Sequence, residues 1–265
     1  MAENYEDLKV LLLYAMQAEA DPLIAALGLE RQTSCWHPFR TFSGKDCEGH
    51  YITLMTSGTD ETYSVDNVAT QNAAVMAAMG IKNYRPHVVI NAGTAGGFQA
   101  CGAKIGEVFL GNNFVYHDRR IPIPGFVNYG IGGFQFSPPD DFGREFRTAV
   151  ISTGNSLDVT ANERKVMLKL AAEYAVVKDM EATTIAEMCY QARLPMIAIK
   201  AITDLVDGEH PSQEEFLQNL KLASQSLQGA VSCVLRHITR HLVSQITQLR
   251  NRELVEKIRA LSVEE

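Results

Sequence analysis

No two cysteines in this 265-residue chain form a CxxC pair. Cys35, Cys47, Cys101, Cys189 and Cys233 are odd in number and far apart, which argues against a disulfide framework and against a zinc site. The histidines show no metal-ligand spacing. No apolar stretch reaches the roughly 20 residues that a bilayer-spanning helix needs. The acidic N-terminus MAENYEDLKV has no basic-then-apolar signal pattern. Basic runs are missing too: 24 Lys and Arg stand against 31 Asp and Glu, for a formal charge of −7. That balance argues against nucleic acid or an anionic membrane as the main partner. Internal repeats, low-complexity tracts and linkers are also absent. These absences lead us to expect a protein of a reducing compartment, the cytoplasm.

The chain does contain apolar, β-branched runs alternating with helix-like stretches. KVLLLYA (9–15), YITLMT (51–56), residues 87–91 and residues 107–116 read as strands. Further strands are expected over 147–152, 175–178 and PMIAIKAI (195–202). Helices are expected over AEADPLIAALG (18–28), 64–79, 181–191 and from about Ser212. In the last of these Phe216, Leu217, Leu220, Ala223, Leu227, Val231, Val234, Leu235 and Ile238 keep the three-and-four spacing of one buried face. The alternation predicts a single α/β domain with a mostly parallel sheet. Its core would span about 8–243, and the more polar 244–265 would be a helical tail that protrudes or packs on a partner. The Pro- and Gly-rich stretch 118–144 is expected to be a long irregular loop.

Polar and glycine residues gather just after the strands. Glu19 follows LLLYAM, Ser57 and Gly58 follow YITLMT, and Gly93 to Gly97 follow VVIN. Thr153 to Asp158, Met180 with Glu181, and Thr203 with Asp204 complete the set. In open α/β sheets ligands bind outside the carboxyl ends of the strands. Strands sharing one sheet would therefore bring glycine backbone, hydroxyls and three carboxylates to one pocket. Each acid also has a structural reading: Glu19 and Glu181 as acids favoured at a helix start, Asp204 as an N-cap. The glycines read as a turn, either a plain one or one that lets the main chain approach a ligand.

Six ordered segments carry a resemblance: AMQAE (15–19), INAGTAGG (90–97), YHDRRIPIP (116–124), STGNSLD (152–158), DMEATTIA (179–186) and AITDLVDG (201–208). Together they resemble the 5′-methylthioadenosine nucleosidases, particularly their plant-type branch, within the nucleoside phosphorylase/hydrolase superfamily. The resemblance implies a three-layer α/β domain with a central, largely parallel mixed sheet flanked by helices, usually a homodimer. It implies hydrolysis of the N-glycosidic bond of an adenine thionucleoside, with no metal and no organic cofactor.

Motif by motif, Glu19 matches the acid that activates the attacking water, and Asp204 the acid that protonates the leaving base. Glu181, beside Met180, matches the acid that holds the ribose hydroxyls. By the same resemblance Thr203 would support the base region, Leu157 would pack on the purine, and backbone near Leu157 and Asp158 would read its edge. Thr94 and Gly96 match the loop laid against the nucleoside. Ile121, Pro124 and Phe126 would line the pocket for the 5′-alkylthio group, with Phe126 reaching across a dimer interface. Breaking a ribosyl bond builds positive charge on the sugar and negative charge on the base, which calls for an acid at the leaving group and a carboxylate near water.

Two segments depart from that pattern. Asn155 stands where relatives commonly have aspartate, and 56–68 is longer and more polar than the compact bacterial turn. Arg119 and Arg120 are expected to be solvated or to pair with acids rather than to bind phosphate. Two other readings remain open: a phosphate-dependent phosphorylase on the same scaffold, and a nucleoside-binding or storage protein that has lost the chemistry.

Overall fold

The computed structural model describes residues 8–33, 36–137, 145–210 and 212–263. The long apolar runs form strands buried on both faces, the pattern of parallel sheet covered by helices. β1 (Lys9–Tyr14) is the clearest case, with Leu11, Leu12 and Leu13 fully buried. Its helix, α1 (Gln17–Leu27), ends at Gly28, whose left-handed backbone (φ 61°) lets the next amides satisfy the last carbonyls. β2 (Glu30–Gln32), β3 (Arg40–Lys45) and β4 (Tyr51–Thr56) follow, then α2 (Thr70–Tyr84), β5 (Val88–Gly97) and β6 (Val108–Tyr116). Next come α3 (Phe126–Ile131), β7 (Gly132–Ser137), β8 (Arg147–Thr153), α4 (Ala161–Ala171), β9 (Val176–Asp179) and α5 (Ala182–Ala192). The chain closes with β10 (Met196–Leu205), α6 (Ser212–His237), α7 (Arg240–Gln245), β11 (Thr247–Arg250) and α8 (Arg252–Val263).

The result is a single α/β domain with a mixed central sheet flanked by helices. β1 lies parallel to both β4 and β5, and β10 runs parallel to β5 along its length. β6 pairs antiparallel with β10, β8 parallel with β6, and β9 parallel with β8. β9 then returns to β5 through Gly96 and Gly97, so these five strands close a ring. α1 packs on α6, and α2 packs on α5. Among the described residues no helix is long and apolar enough to cross a membrane. Each fully buried Leu or Phe in this core contributes about 1.5–3 kcal/mol relative to an exposed position.

Four sequence expectations need correction. Residues 93–97 are not a turn but the second half of β5, with extended backbone paired to β10. Their glycines answer to crowding. A Cβ on Gly97 would stand 2.8 Å from the Ala103 Cβ, and one on Gly96 would stand 2.7 Å from a Val206 methyl and 3.0 Å from the Asp204 carboxylate.

The helix expected over 64–79 starts at Thr70 and runs to Tyr84. Ahead of it Asp60 accepts the amides of Thr62 and Tyr63, a side-chain turn that competes with helix. The stretch from 118 is not wholly irregular, because it contains α3 and β7; residues 138–144 lie outside the described residues. The alternation in GFQFS buries Phe134 and Phe136, which makes β7 a strand.

Nor is the tail simply helical or protruding. β11 adds to β7, the Arg250 guanidinium lies 3.8 Å from the Phe134 ring centre, and Leu254, Val255 and Ile258 of α8 are buried.

Substituting Gly97→Ala forces a methyl into the β5–Ala103 contact without touching a carboxylate. A destabilisation of about 1–3 kcal/mol is expected from overpacking, measured as a shift in the urea midpoint at unchanged slope. A midpoint equal to that of the parent would show that the crowding is not real.

Candidate active site

β1, β5, β9 and β10 end around one cavity of about 330 Å³. Glu19, Glu181 and Asp204, separated by up to 185 positions in the chain, all line it. Glu19 sits in the first turn of α1, is 3% exposed, and is held from two sides. One oxygen accepts the Thr94 amide at 2.7 Å and the Thr94 hydroxyl at 2.6 Å, while the other accepts the Met16 amide at 3.2 Å. Glu19 therefore both caps the start of α1 and faces the cavity. Gly93 lies beneath it, where a Cβ would make ordinary contact, at 3.5 Å, with both the Glu19 carboxylate and the Lys200 ammonium.

A buried ion pair supports this floor. Lys200 Nζ lies 2.8 Å from Asp179 Oδ2, and neither side chain reaches solvent appreciably. Asp179 also accepts the Thr153 hydroxyl at 2.5 Å and the Ala182 amide at 2.8 Å. Burial alone would raise the Asp179 carboxyl, but Lys200 and these donors outweigh it and hold its pKa below the usual value. Burial would likewise lower Lys200, and the charges of Asp179 and Glu181 reverse that. Removing one partner alone would strand an uncompensated charge.

Glu181, at the start of α5, accepts the Ala69 amide at 2.8 Å. Burial first, then the negative charge of Asp179, push its pKa up to about 7, against the pull of Lys200. Asp204 near the end of β10 is also raised, chiefly by burial. The Thr203 hydroxyl donates to it at 2.9 Å, and this bond, the Ser212 hydroxyl and Lys178 oppose the rise. One wall of the cavity thus carries an acid with increased hold on its proton, and another carries a carboxylate pinned by three donors. Two carboxyl groups in different environments are what separate acid and base roles require.

Met180, Thr94, Gly96, Thr203 and Leu157 also line the cavity, as the sequence suggests, with Leu157 41% exposed at its rim. Asp158 does not line it, nor do Ile121, Pro124 and Phe126. Phe126 is 52% exposed and meets Tyr129 edge-on, with ring centres 6.3 Å apart. This chain's own fold therefore leaves those three on an outer surface. Asn155 lies outside the cavity too, bridging Thr70 of α2 to Asp118. Arg119 pairs with Glu187 and Arg120 with Glu163, as expected.

Sequence reading missed Lys178, Asp179, Phe216 and the segment Val65, Asp66 and Val68, all of which line the cavity. Two charges closing the buried strand AVVKD were a usable signal, since such residues are rarely buried without a partner. The 65–68 segment carries no periodicity that could have placed it. Among the described residues no group of three or more His, Cys, Asp or Glu side chains could hold a metal ion.

Residues 9–236 match the family model described as the phosphorylase superfamily. The chain is 38% identical over 246 residues to the 5′-methylthioadenosine nucleosidase of Arabidopsis thaliana, covering 89% of this chain and 90% of that one. It is 35% identical over 245 residues to the 5′-methylthioadenosine/S-adenosylhomocysteine nucleosidase of the same plant, covering 89% and 94%. The apo structure of the Arabidopsis 5′-methylthioadenosine nucleosidase superposes with a TM-score of 0.81 at 36% identity, covering 87% of this chain and 95% of that one.

The raised Glu181 pKa makes stability depend on pH. A carboxyl that binds its proton more tightly when folded adds stability that is complete below about 4.5 and is lost as pH rises through about 7. Asp179, shifted the other way, loses its contribution only at more acid pH, outside this window. Between pH 5 and pH 8 the parent should lose stability on the order of 2–3 kcal/mol from this group, and Glu181→Gln should flatten that slope. Urea titrations at the two pH values measure it, and equal slopes in both proteins would contradict the assignment.

Proposed function

The chain belongs to the phosphorylase superfamily, in its 5′-methylthioadenosine nucleosidase family, and on that premise we propose that it hydrolyses 5′-methylthioadenosine to adenine and 5-methylthioribose. The observation that carries this reading is the meeting of Glu19, Glu181 and Asp204 around one cavity. Asp204 delivers its proton to the departing adenine, and its raised pKa suits an acid that must be protonated before the bond breaks. The Thr203 hydroxyl orients that carboxyl.

Glu19, fixed by Thr94 and Met16, orients and deprotonates the water that attacks the sugar. Glu181 holds the vicinal ribose hydroxyls. With a pKa of about 7 it can accept from one hydroxyl and, when protonated, donate to the other. Leu157 and Phe216 supply apolar surface for the purine, while Met16, Val65 and Val68 do the same toward the sugar and its 5′ substituent. One of the two Arabidopsis relatives is also named for S-adenosylhomocysteine, so the same cavity is to be tested with that nucleoside.

Homodimerisation completes the proposal. Exposed Ile123, Phe126 and Tyr129 form an apolar surface whose natural occupant is a second copy, where Phe126 would reach the partner's 5′ pocket. Free thiols at Cys47, Cys101, Cys189 and Cys233 support residence in the cytoplasm.

Purified protein in phosphate-free buffer should release adenine from methylthioadenosine. A strict phosphate requirement with a ribose 1-phosphate product would replace hydrolysis by phosphorolysis. Tight binding without turnover would indicate a storage protein. Asp204→Asn should cut kcat by at least ~10² while the melting temperature stays near that of the parent, and near-normal turnover would mean that the acid is another group.

A further inference from the structure

Among the residues that line the cavity, five are carboxylates (Glu19, Asp66, Asp179, Glu181 and Asp204) and one is a cation, Lys178. Lys178 stands on β9 and is only 4% exposed, a depth at which an ammonium needs partners. Its Nζ donates to the backbone carbonyls of Ser156 at 2.6 Å and of Leu157 at 2.9 Å. Both carbonyls lie in the irregular segment after β8 that carries Leu157 to the cavity rim. One end of that segment is tied by Asn155 to Asp118 and Thr70. Ser156 and Leu157 themselves are tied to the sheet through Lys178.

We propose that Lys178 is a positioning residue for the purine, its ammonium clamping the Ser156–Leu157 backbone so that Leu157 and its peptide group are held against the base. The proposal rests on the nucleosidase reading of this cavity. A second consequence follows from charge. Asp204 is surrounded by the hydroxyls of Thr203 and Ser212, the ammonium of Lys178 and the carboxylate of Glu215. Lys178 in turn faces Asp179, Asp204, Asp158 and Glu181, and its charge also acts on His117. A positive charge favours the ionised form of a neighbouring carboxyl. Lys178 therefore limits how far burial can raise Asp204, and a lysine that only filled space would not do so.

The test compares the parent with Lys178→Met and Lys178→Arg in two measurements. Calorimetric binding of adenine reads the clamp and needs no turnover. In Lys178→Met the adenine Kd should rise roughly tenfold, the scale of a lost buried hydrogen-bonding partner. Lys178→Arg, which keeps donors and charge, should recover part of that loss. The second measurement is the pH profile of kcat/KM for methylthioadenosine. Its alkaline limb, where Asp204 loses its proton, should move up by about 1 pH unit in Lys178→Met and stay in place in Lys178→Arg.

A folded Lys178→Met protein with an adenine Kd within about twofold of the parent and an unmoved limb would overturn the proposal. If Lys178→Met does not fold, Lys178→Gln, which has a donor but no charge, is held to the same limb shift. If the parent releases no adenine, the hydrolase reading falls, and the adenine Kd comparison still decides whether Lys178 positions the base.

Discussion

The pairing of β5 with β10 along their whole length brings the site into being. It places Thr94, which holds Glu19, in register with Ala201, and Gly96 in register with Asp204. Gly96 and Gly97 leave room for the side chains that cross them, Val206 and Asp204 over the first and Ala103 and Ile202 over the second. Where the ladder shifts register between Ile202 and Asp204, β10 departs from regular spacing just before the carboxylate that faces the cavity. Such irregularities re-aim side chains, and they cluster near active sites.

Around that ladder the charges form two tiers. The lower tier is the Lys200–Asp179 pair, sealed from water and completed by Thr153 and the Ala182 amide. Its charges act on the upper tier: Asp179 raises Glu181, and Lys200 restrains that rise. The upper tier therefore contains carboxyls in different environments within one small cavity: Glu181 and Asp204 have a raised hold on their protons, and Glu19 is held by three donors.

β1, β4, β5, β6, β8, β9 and β10 were readable because each is a short apolar run between polar punctuation, and α6 because its apolar spacing is periodic. The more polar β2, β3 and β11 and the glycine-flanked β7 were not read as strands. The strand ends at Glu19, Glu181 and Asp204 were visible as polar residues just beyond those runs. The glycines of β5 were misread as a turn, because local preference sees only backbone freedom. Gly96 answers to Val206 and Asp204, more than a hundred residues away in the chain, and Gly97 to Ala103, which folds back onto it. β11 and α8 looked polar because Leu254, Val255 and Ile258 are few, yet each lands on a surface prepared by β7, α3 or α4.

By itself, then, the sequence determined the α/β class, the candidate acids and the family resemblance, since all three are written in local composition and in short ordered motifs. Tertiary structure alone decided that Lys178 and Asp179 line the cavity and that Asn155 does not. It also decided that Ile121, Pro124 and Phe126 stay outside this chain's own cavity. The physical reason is that burial, ion pairing and pKa depend on which distant groups share a low-dielectric space, and no window of neighbouring residues contains that information.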